Sequence, residues 1–363
     1  MMSFARKACD TITGRGTAAV TIPAMDGPLR ANGRLQDSRR MLSIKCPDNL
    51  VRTQDSVYFS TGTELHALMP GEKDSTLCDV FDGRITALAA NADGTLAVGV
   101  EGFGIELRDR SGQRSPLKSM AGARFGCTTA LAFGGPGTLF ACEGSTRLPA
   151  SQWQRSLMER DASGSVWRLE LQSGKASPMA TNLAYPNGIL VDASGGGVVV
   201  AEAWRHRLVR IAAPSKGMPQ MVLSNLPGYP ARLSAAAESG YWLAVFAPRS
   251  QLIEFVLKER AYCARMMREI ADPNLWVAPT LGSGQTFLEP LQGGAVKQMG
   301  IRKPWAPTRS YGLVLRLDAD FHVLESLHSR ADGNCHGITS CVQHGDTLLS
   351  TSGGGNALVE TLL

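Results

Sequence analysis

The 363-residue chain has no apolar run approaching the ~18 residues that a membrane-spanning helix needs. Its N-terminus, MMSFARKACDTITGRG, lacks the apolar stretch of a secretory signal, so the cytoplasm is the expected address. The eight cysteines (Cys9, Cys46, Cys78, Cys127, Cys142, Cys263, Cys335 and Cys341) contain no CxxC pair. That excludes the usual zinc and thioredoxin-like spacings and points to reduced thiols, several of them packed in strands. No GxSxG elbow supports a serine-hydrolase triad. GSGQ at 282–285 is too short for a phosphate-cradling loop. The net charge of +5 is scattered among acidic residues, which leaves no nucleic-acid footprint.

What is present is a globular balance, 44% hydrophobic and 19% charged, with 39 glycines. The long helical periods of a bundle are missing. Short strands joined by tight turns fit better.

The most informative pattern is a repeat. A polar turn recurs at Thr53–Ser56, Asn91–Gly94, Gly134–Gly137, Ala193–Gly196, Ala237–Gly240 and Gln343–Asp346. Each turn is followed by a β-rich run: VYFST, TLAVGV, TLFACEG, GVVVAEA, YWLAVF and TLLSTS. The spacing is about 40 to 45 residues outside two insertions, the period of a four-stranded propeller blade. One small sheet cannot bury both faces, whereas a ring of such sheets can. Blades one to five can each supply four strands, and the last supplies three. The expected fold is therefore all-β, a six-bladed propeller over residues 41–363 preceded by an arm over 1–40. Thr17–Ile22 (TAAVTI) is the expected closing strand of the last blade.

The insertions fall at about 145–163 and 248–310. In the second, which lies in the fifth blade, Leu252, Phe255, Val256, Cys263, Met266, Met267 and Ile270 recur at helical spacing before Pro273. The spacing predicts a helix over 252–270 packed on the propeller; a lid, a dimer contact and a peripheral membrane contact stay open. The remainder of that insertion reads as an extended loop.

Two stretches, NLAYPNGILVDASGGGVVVAEAWRHRLVRI at 182–211 and LPGYPARLSAAAESGYWLAVFA at 226–247, resemble the strictosidine synthase-like family. That family is related more distantly to gluconolactonase, regucalcin and the paraoxonases. YGLVLRLDADFHVLESLH after the insertion, and VTIPAMDGPLRANGRLQDSRRM near the start, are similar too. The resemblance implies a site at one mouth of the central channel, often holding a divalent cation, usually calcium. Carried over to this chain, it places Asp48 and Asn187 as metal ligands. It places Thr129 where relatives have Asn, and Ala231-Arg232 where they have a carboxylate. Arg232 then either turns outward or holds a substrate carboxylate or phosphate by a bidentate bond. Thr339 stands where strictosidine synthase has its catalytic glutamate, which argues against tryptamine condensation.

From the residues themselves, His336 precedes the innermost strand of the last blade and is a candidate general base. Cys335 lacks an identifiable partner. Glu202, Arg205 and Arg207 suit a cross-strand ion pair, and Glu143 is a candidate channel residue. The leading expectation is hydrolysis of a small ester or lactone, with His336 and Arg232 catalytic and Thr129, Arg232 and Thr339 contacting substrate. The alternatives are a non-catalytic small-molecule binding propeller with a degenerate metal site, and a biosynthetic lyase or cyclase. The oligomeric state is open.

Overall fold

The computed structural model describes residues 22–69, 72, 74–117, 125–135, 137–192, 197–212, 218–284, 286, 288–290, 297–298, 301–302 and 308–363. Among them are six four-stranded antiparallel sheets, arranged as the blades of a propeller. Blade 1 runs Pro47–Arg52, Val57–Thr61, Glu64–Leu68, Thr76–Val80. Blade 2 runs Ile85–Ala90, Leu96–Val100, Gly104–Arg108, Arg114–Pro116. Blade 3 is Thr128–Phe133, Thr138–Glu143, Gly164–Glu170, Lys175–Leu183. Blade 4 is Pro186–Val191, Gly197–Glu202, Arg207–Ala212, Gln220–Leu223. Blade 5 is Gly228–Ala235, Tyr241–Pro248, Gly312–Leu317, Val323–Ser329. Blade 6 has Ile338–His344, Thr347–Ser352 and Ala357–Leu362 from the C-terminus.

The local chemistry explains the repeat. In the Asn91–Gly94 turn, Thr95 N donates to Asp93 Oδ1 at 2.8 Å while Asn91 N donates to Thr95 O at 2.8 Å. The second strands of blades 2 to 5 are almost wholly buried because both faces meet neighbouring blades. Val198 and Val200 face a cluster shared with blade 3, while Val199 and Ala201 face one shared with blade 5.

The outer strand of blade 6 is Arg39–Ser43, paired antiparallel with Ala357–Leu362. This corrects the expected closing strand: Ile22 is not in a strand, and 17–21 lie outside the described residues. The physical reason is proximity to blade 1. Only Ile44 to Cys46 separate this strand from Pro47, and Met41, Leu42 and Ile44 pack on Leu50, Phe59, Leu349 and Leu358 between blades 6 and 1. TAAVTI is β-rich but lies farther up the chain.

The insertion in blade 5 also departs from expectation. Instead of one helix it forms two, Gln251–Val256 and Arg260–Glu269. Ser250 caps the first, accepting from Ile253 N at 3.2 Å. The Val256 carbonyl at the end of the first helix accepts from Glu259 N at 2.9 Å and from the Cys263 thiol at 3.1 Å, which ties the second helix to the first. The bend lets Ile253, Val256 and Leu257 of the first segment and Cys263 and Met266 of the second enter one core with Phe246 and Trp276. Phe255, expected on the apolar face, is exposed instead. No helix among the described residues is long and apolar enough to cross a membrane.

All six innermost strands share one irregularity. The pairing with the second strand shifts at Asp48/Val51, Ile85/Ala87, Thr128/Ala130, Pro186/Gly188, Pro230/Leu233 and Ile338/Cys341. A bulge bends a strand and re-aims the unpaired side chain, and six of them surround one axis. Packing at the hub is close. A Cβ on Gly188 would fall inside van der Waals distance of the Ala231 carbonyl oxygen, which is backbone and cannot move aside. Gly188→Ala is expected to lower the unfolding free energy by about 1–3 kcal/mol, read from urea denaturation. An unchanged midpoint would show that the blades are not held this tightly.

Candidate functional site

The bulges build the site. Thr86, Thr129, Asn187, Arg232 and Thr339 occupy bulged positions in five blades, and Asp48 begins the sixth bulge. All six line one open cavity at the channel mouth. Five of the residues expected from the sequence thus come together: Asp48, Thr129, Asn187, Arg232 and Thr339.

Arg232 organises them. Its Nη1 lies 2.9 Å from Asp48 Oδ1. Its Nη2 donates to Thr86 O at 2.8 Å and to Thr129 O at 3.4 Å. One guanidinium from blade 5 therefore reaches blades 1, 2 and 3. Both partners of the ion pair are largely shielded, with side-chain exposures of 15% and 23%, so the attraction is stronger than at an open surface.

The hydroxyls around it are engaged in structure. Thr129 Oγ1 donates to Pro186 O and Cys142 O, joining blades 3 and 4. Thr339 Oγ1 is 2.9 Å from Thr351 Oγ1. Asn187 lines the cavity, and its carboxamide has no hydrogen-bond partner among the described residues.

The second wall is aromatic. Trp153 comes from the first insertion, Trp204 from the turn between the second and third strands of blade 4, Tyr185 precedes that blade, and Phe246 lies in blade 5. Tyr185 and Trp204 stack at 4.5 Å, and Trp153 meets Phe246 edge-on at 5.3 Å. The Trp204 indole donates to Ser156 Oγ at 3.1 Å, tying the insertion to blade 4. Glu101 holds the same insertion at the rim, accepting from Ser151 N at 2.7 Å and Ser151 Oγ at 2.8 Å.

These residues do not fit calcium. The ion wants six to eight oxygens with carboxylate charge to offset dehydration. Here one carboxylate is present, and a guanidinium already sits on it. Among the described residues no three His, Cys, Asp or Glu side chains are grouped to hold a metal ion. Of the two expected metal ligands, Asp48 is an ion-pair partner of Arg232 and Asn187 faces the cavity.

His336 does not join the group. It is buried, with Nδ1 2.7 Å from Ser310 Oγ and Nε2 2.7 Å from Arg330 O, and it borders a separate cavity with Arg40, Ser283, Asn334 and Asn356. Both ring nitrogens are committed, which removes the expected base from the mouth. Cys335 is buried beside it, and burial pushes its thiol pKa up, away from nucleophilic character.

Glu143 also stays out of the cavity. Its carboxylate accepts from Cys127 N at 2.9 Å and Thr128 Oγ1 at 2.5 Å. Glu202 occupies the corresponding place in blade 4, accepting from Ala184 N at 2.7 Å and pairing with Arg205 and Arg207. The cross-strand pair expected there is present, since Glu202 and Arg207 are directly opposite. The last residue of the second strand thus anchors the loop leading into the hub.

The sequence reading missed Arg84, Thr86 and the aromatic wall of Trp153, Tyr185, Trp204 and Phe246. For Thr86 the signal was there: it precedes Asn91 by the same five residues that separate Thr129 from Gly134 and Arg232 from Ala237.

Comparisons with known proteins agree with this architecture. No family model matches the chain. It is 26% identical over 249 residues to adipocyte plasma membrane-associated protein of Danio rerio, covering 62% of this chain and 60% of that protein. It is 20% identical over 195 residues to strictosidine synthase-like 2 of Arabidopsis thaliana, covering 52% and 45% respectively. The matched region is thus under two thirds of the length of these curated relatives. Among solved structures, a gluconolactonase of Xanthomonas campestris superposes with TM-score 0.56 at 16% identity, covering 94% of this chain and 97% of that one. A calcium-binding protein, regucalcin, of Agrobacterium tumefaciens does so with TM-score 0.56 at 13% identity, covering 90% and 92%. The homologues are adipocyte plasma membrane-associated protein and strictosidine synthase-like 2, and the structural neighbours are gluconolactonase and regucalcin propellers, as the resemblance implied.

Glu143 has a measurable consequence. Burial pushes its pKa up from 4.5 to about 7, only partly opposed by the bonds from Thr128 and Cys127. Between those values the folded protein keeps a proton that the unfolded chain has released, so stability falls as pH rises through that window. Glu143→Gln removes this slope. The variant is expected to gain about 1–3 kcal/mol on wild type between pH 5 and pH 8, measured by urea denaturation at both. A difference that does not change with pH would contradict a buried, proton-holding Glu143.

Proposed function

We propose that the protein hydrolyses a small ester or lactone in the mouth cavity, with guanidinium charge in place of a metal ion. The observation that carries this reading is Arg232, held against Asp48 and the blade 2 and blade 3 carbonyls where the six innermost strands converge. Gluconolactonase neighbours share the architecture, but architecture does not choose chemistry. The support comes from the side chains in the cavity.

In this reading Arg232 and Arg84 stabilise the negative charge that develops on the carbonyl oxygen. Asp48 accepts a proton from the attacking water, and the Asn187 carboxamide orients the ester group. Water adds to the carbonyl carbon, the carbon–oxygen bond to the alcohol breaks, and the proton held by Asp48 passes to the departing oxygen. An ester gives an acid and an alcohol; a lactone gives a hydroxy acid. Amine–aldehyde condensation has no base at Thr339, whose hydroxyl is engaged with Thr351. The reading includes a cytoplasmic address, supported by the free thiols of the described cysteines.

One observation favours a second reading, a binding propeller without turnover: the only carboxylate lining the cavity among the described residues is engaged by Arg232. A panel of arylesters and lactones separates the two. Turnover is expected to survive a chelator, to be unaffected by added calcium, and to fall about 100-fold in Asp48→Asn. Arg232→Lys, which keeps the charge but loses the fork, is expected to fall comparably while remaining folded by circular dichroism. Turnover that needs calcium would overturn the metal-free reading. A complete lack of turnover across the panel would leave the binding propeller.

A further inference from the structure

The cavity is divided by chemistry. On one side its ionisable lining comprises two guanidinium groups, Arg84 and Arg232, and a single carboxylate, Asp48. Asp48 is matched one-to-one by Arg232. Arg84 has neither an ion-pair nor a hydrogen-bond partner for its side chain among the described residues, although it stands at the cavity wall. Among the described residues that line the cavity the charge is therefore one positive in excess, while the Glu101 carboxylate at the rim is bonded to Ser151. On the other side Trp153, Tyr185, Trp204 and Phe246 form a continuous aromatic surface, with Trp153 and Trp204 partly exposed. The Trp153 indole nitrogen has no acceptor among the described residues.

The geometry points to a ligand with a carboxylate head and a flat, apolar body: the head at Arg84 and the free edge of Arg232, the body against Trp153 and Trp204. Guanidinium is suited to carboxylate because its planar donors match the two oxygens. Flat rings suit the indoles because offset stacking adds to apolar burial. A neutral polar ligand would leave Arg84 unmatched, and a dication would be repelled by it. The recess is open to solvent, so the flat body lies across the aromatic side of the mouth without having to be enclosed. This inference rests on the mouth being a small-molecule site and adds the substrate class: acids, or esters and lactones that also carry a carboxylate.

Isothermal titration of the full chain with 2-naphthoate, 2-naphthamide and hexanoate tests it. The acid is expected to bind at least tenfold more tightly than the isosteric amide and more tightly than hexanoate. Arg84→Gln, at an exposed position where the fold has little at stake, is expected to erase the difference between acid and amide. Arg265→Gln, on the outward face of the Arg260–Glu269 helix, is expected to leave it intact. Trp153→Ala is expected to weaken both naphthyl probes alike and preserve their ratio. Equal binding of acid and amide, or a ratio that survives Arg84→Gln, would overturn the inference. The outcome is separable from the hydrolase reading. Acid selectivity without turnover of any ester would reject catalysis alone. Turnover of neutral esters as fast as of carboxylate-bearing ones would reject this inference alone.

Discussion

The guanidinium of Arg232 is the one group that touches most of the hub. A propeller closes sideways, blade against blade, and little in that packing specifies what stands on the axis. Arg232 does specify it, by joining Asp48 of blade 1 to carbonyls of blades 2 and 3 from its own position in blade 5. A cation fixed to the chain then stands in the mouth and engages the one carboxylate lining it. That arrangement leaves Asp48 occupied by a guanidinium of the chain itself. The regucalcin neighbour, a calcium-binding protein, shares the fold with this chain at 13% identity.

The hub is reached by a device repeated around the ring. Each innermost strand carries a bulge near its start, which releases one side chain from the alternation of the sheet and turns it toward the axis. In blades 1, 3, 4 and 6 the residue ending the second strand then anchors the loop that leads there. Thr61 donates to Lys45 O in blade 1, Glu143 accepts from Cys127 N in blade 3, Glu202 accepts from Ala184 N in blade 4, and Ser352 donates to His336 O in blade 6. The chemistry of the anchor varies while its position does not. Glu202 is neutralised by two arginines; Glu143 has hydroxyl and amide partners only, and burial raises its pKa.

The two insertions convert a bare mouth into a walled cavity. The first contributes Ala150 and Trp153, and the second contributes Leu281. The Arg260–Glu269 helix supports this wall from behind, through the core that Cys263 and Met266 share with Phe246, rather than covering the opening.

Strand number, blade period, the two insertions and the meeting of Asp48, Thr129, Asn187, Arg232 and Thr339 at one mouth were legible in the sequence, because each depends on local signals: turn residues, alternation and a short offset from the turn. Thr86 has the same five-residue offset as Asp48, Thr129 and Arg232 and could have been found by it. Other features were not local. Arg39–Ser43 closes the ring because three residues connect it to blade 1, whereas β-propensity favoured TAAVTI. His336 sits beside the hub in sequence but turns to Ser310 and Arg330, groups brought there by the insertion and by blade 5. Whether Arg232 faces solvent or the axis depends on how blades 1, 2, 3 and 5 meet. The sequence by itself determined which residue types reach the mouth, since bulge and turn set that register; only the tertiary structure decided their partners, because an ion pair across a ring belongs to the closure of the ring and not to any one blade.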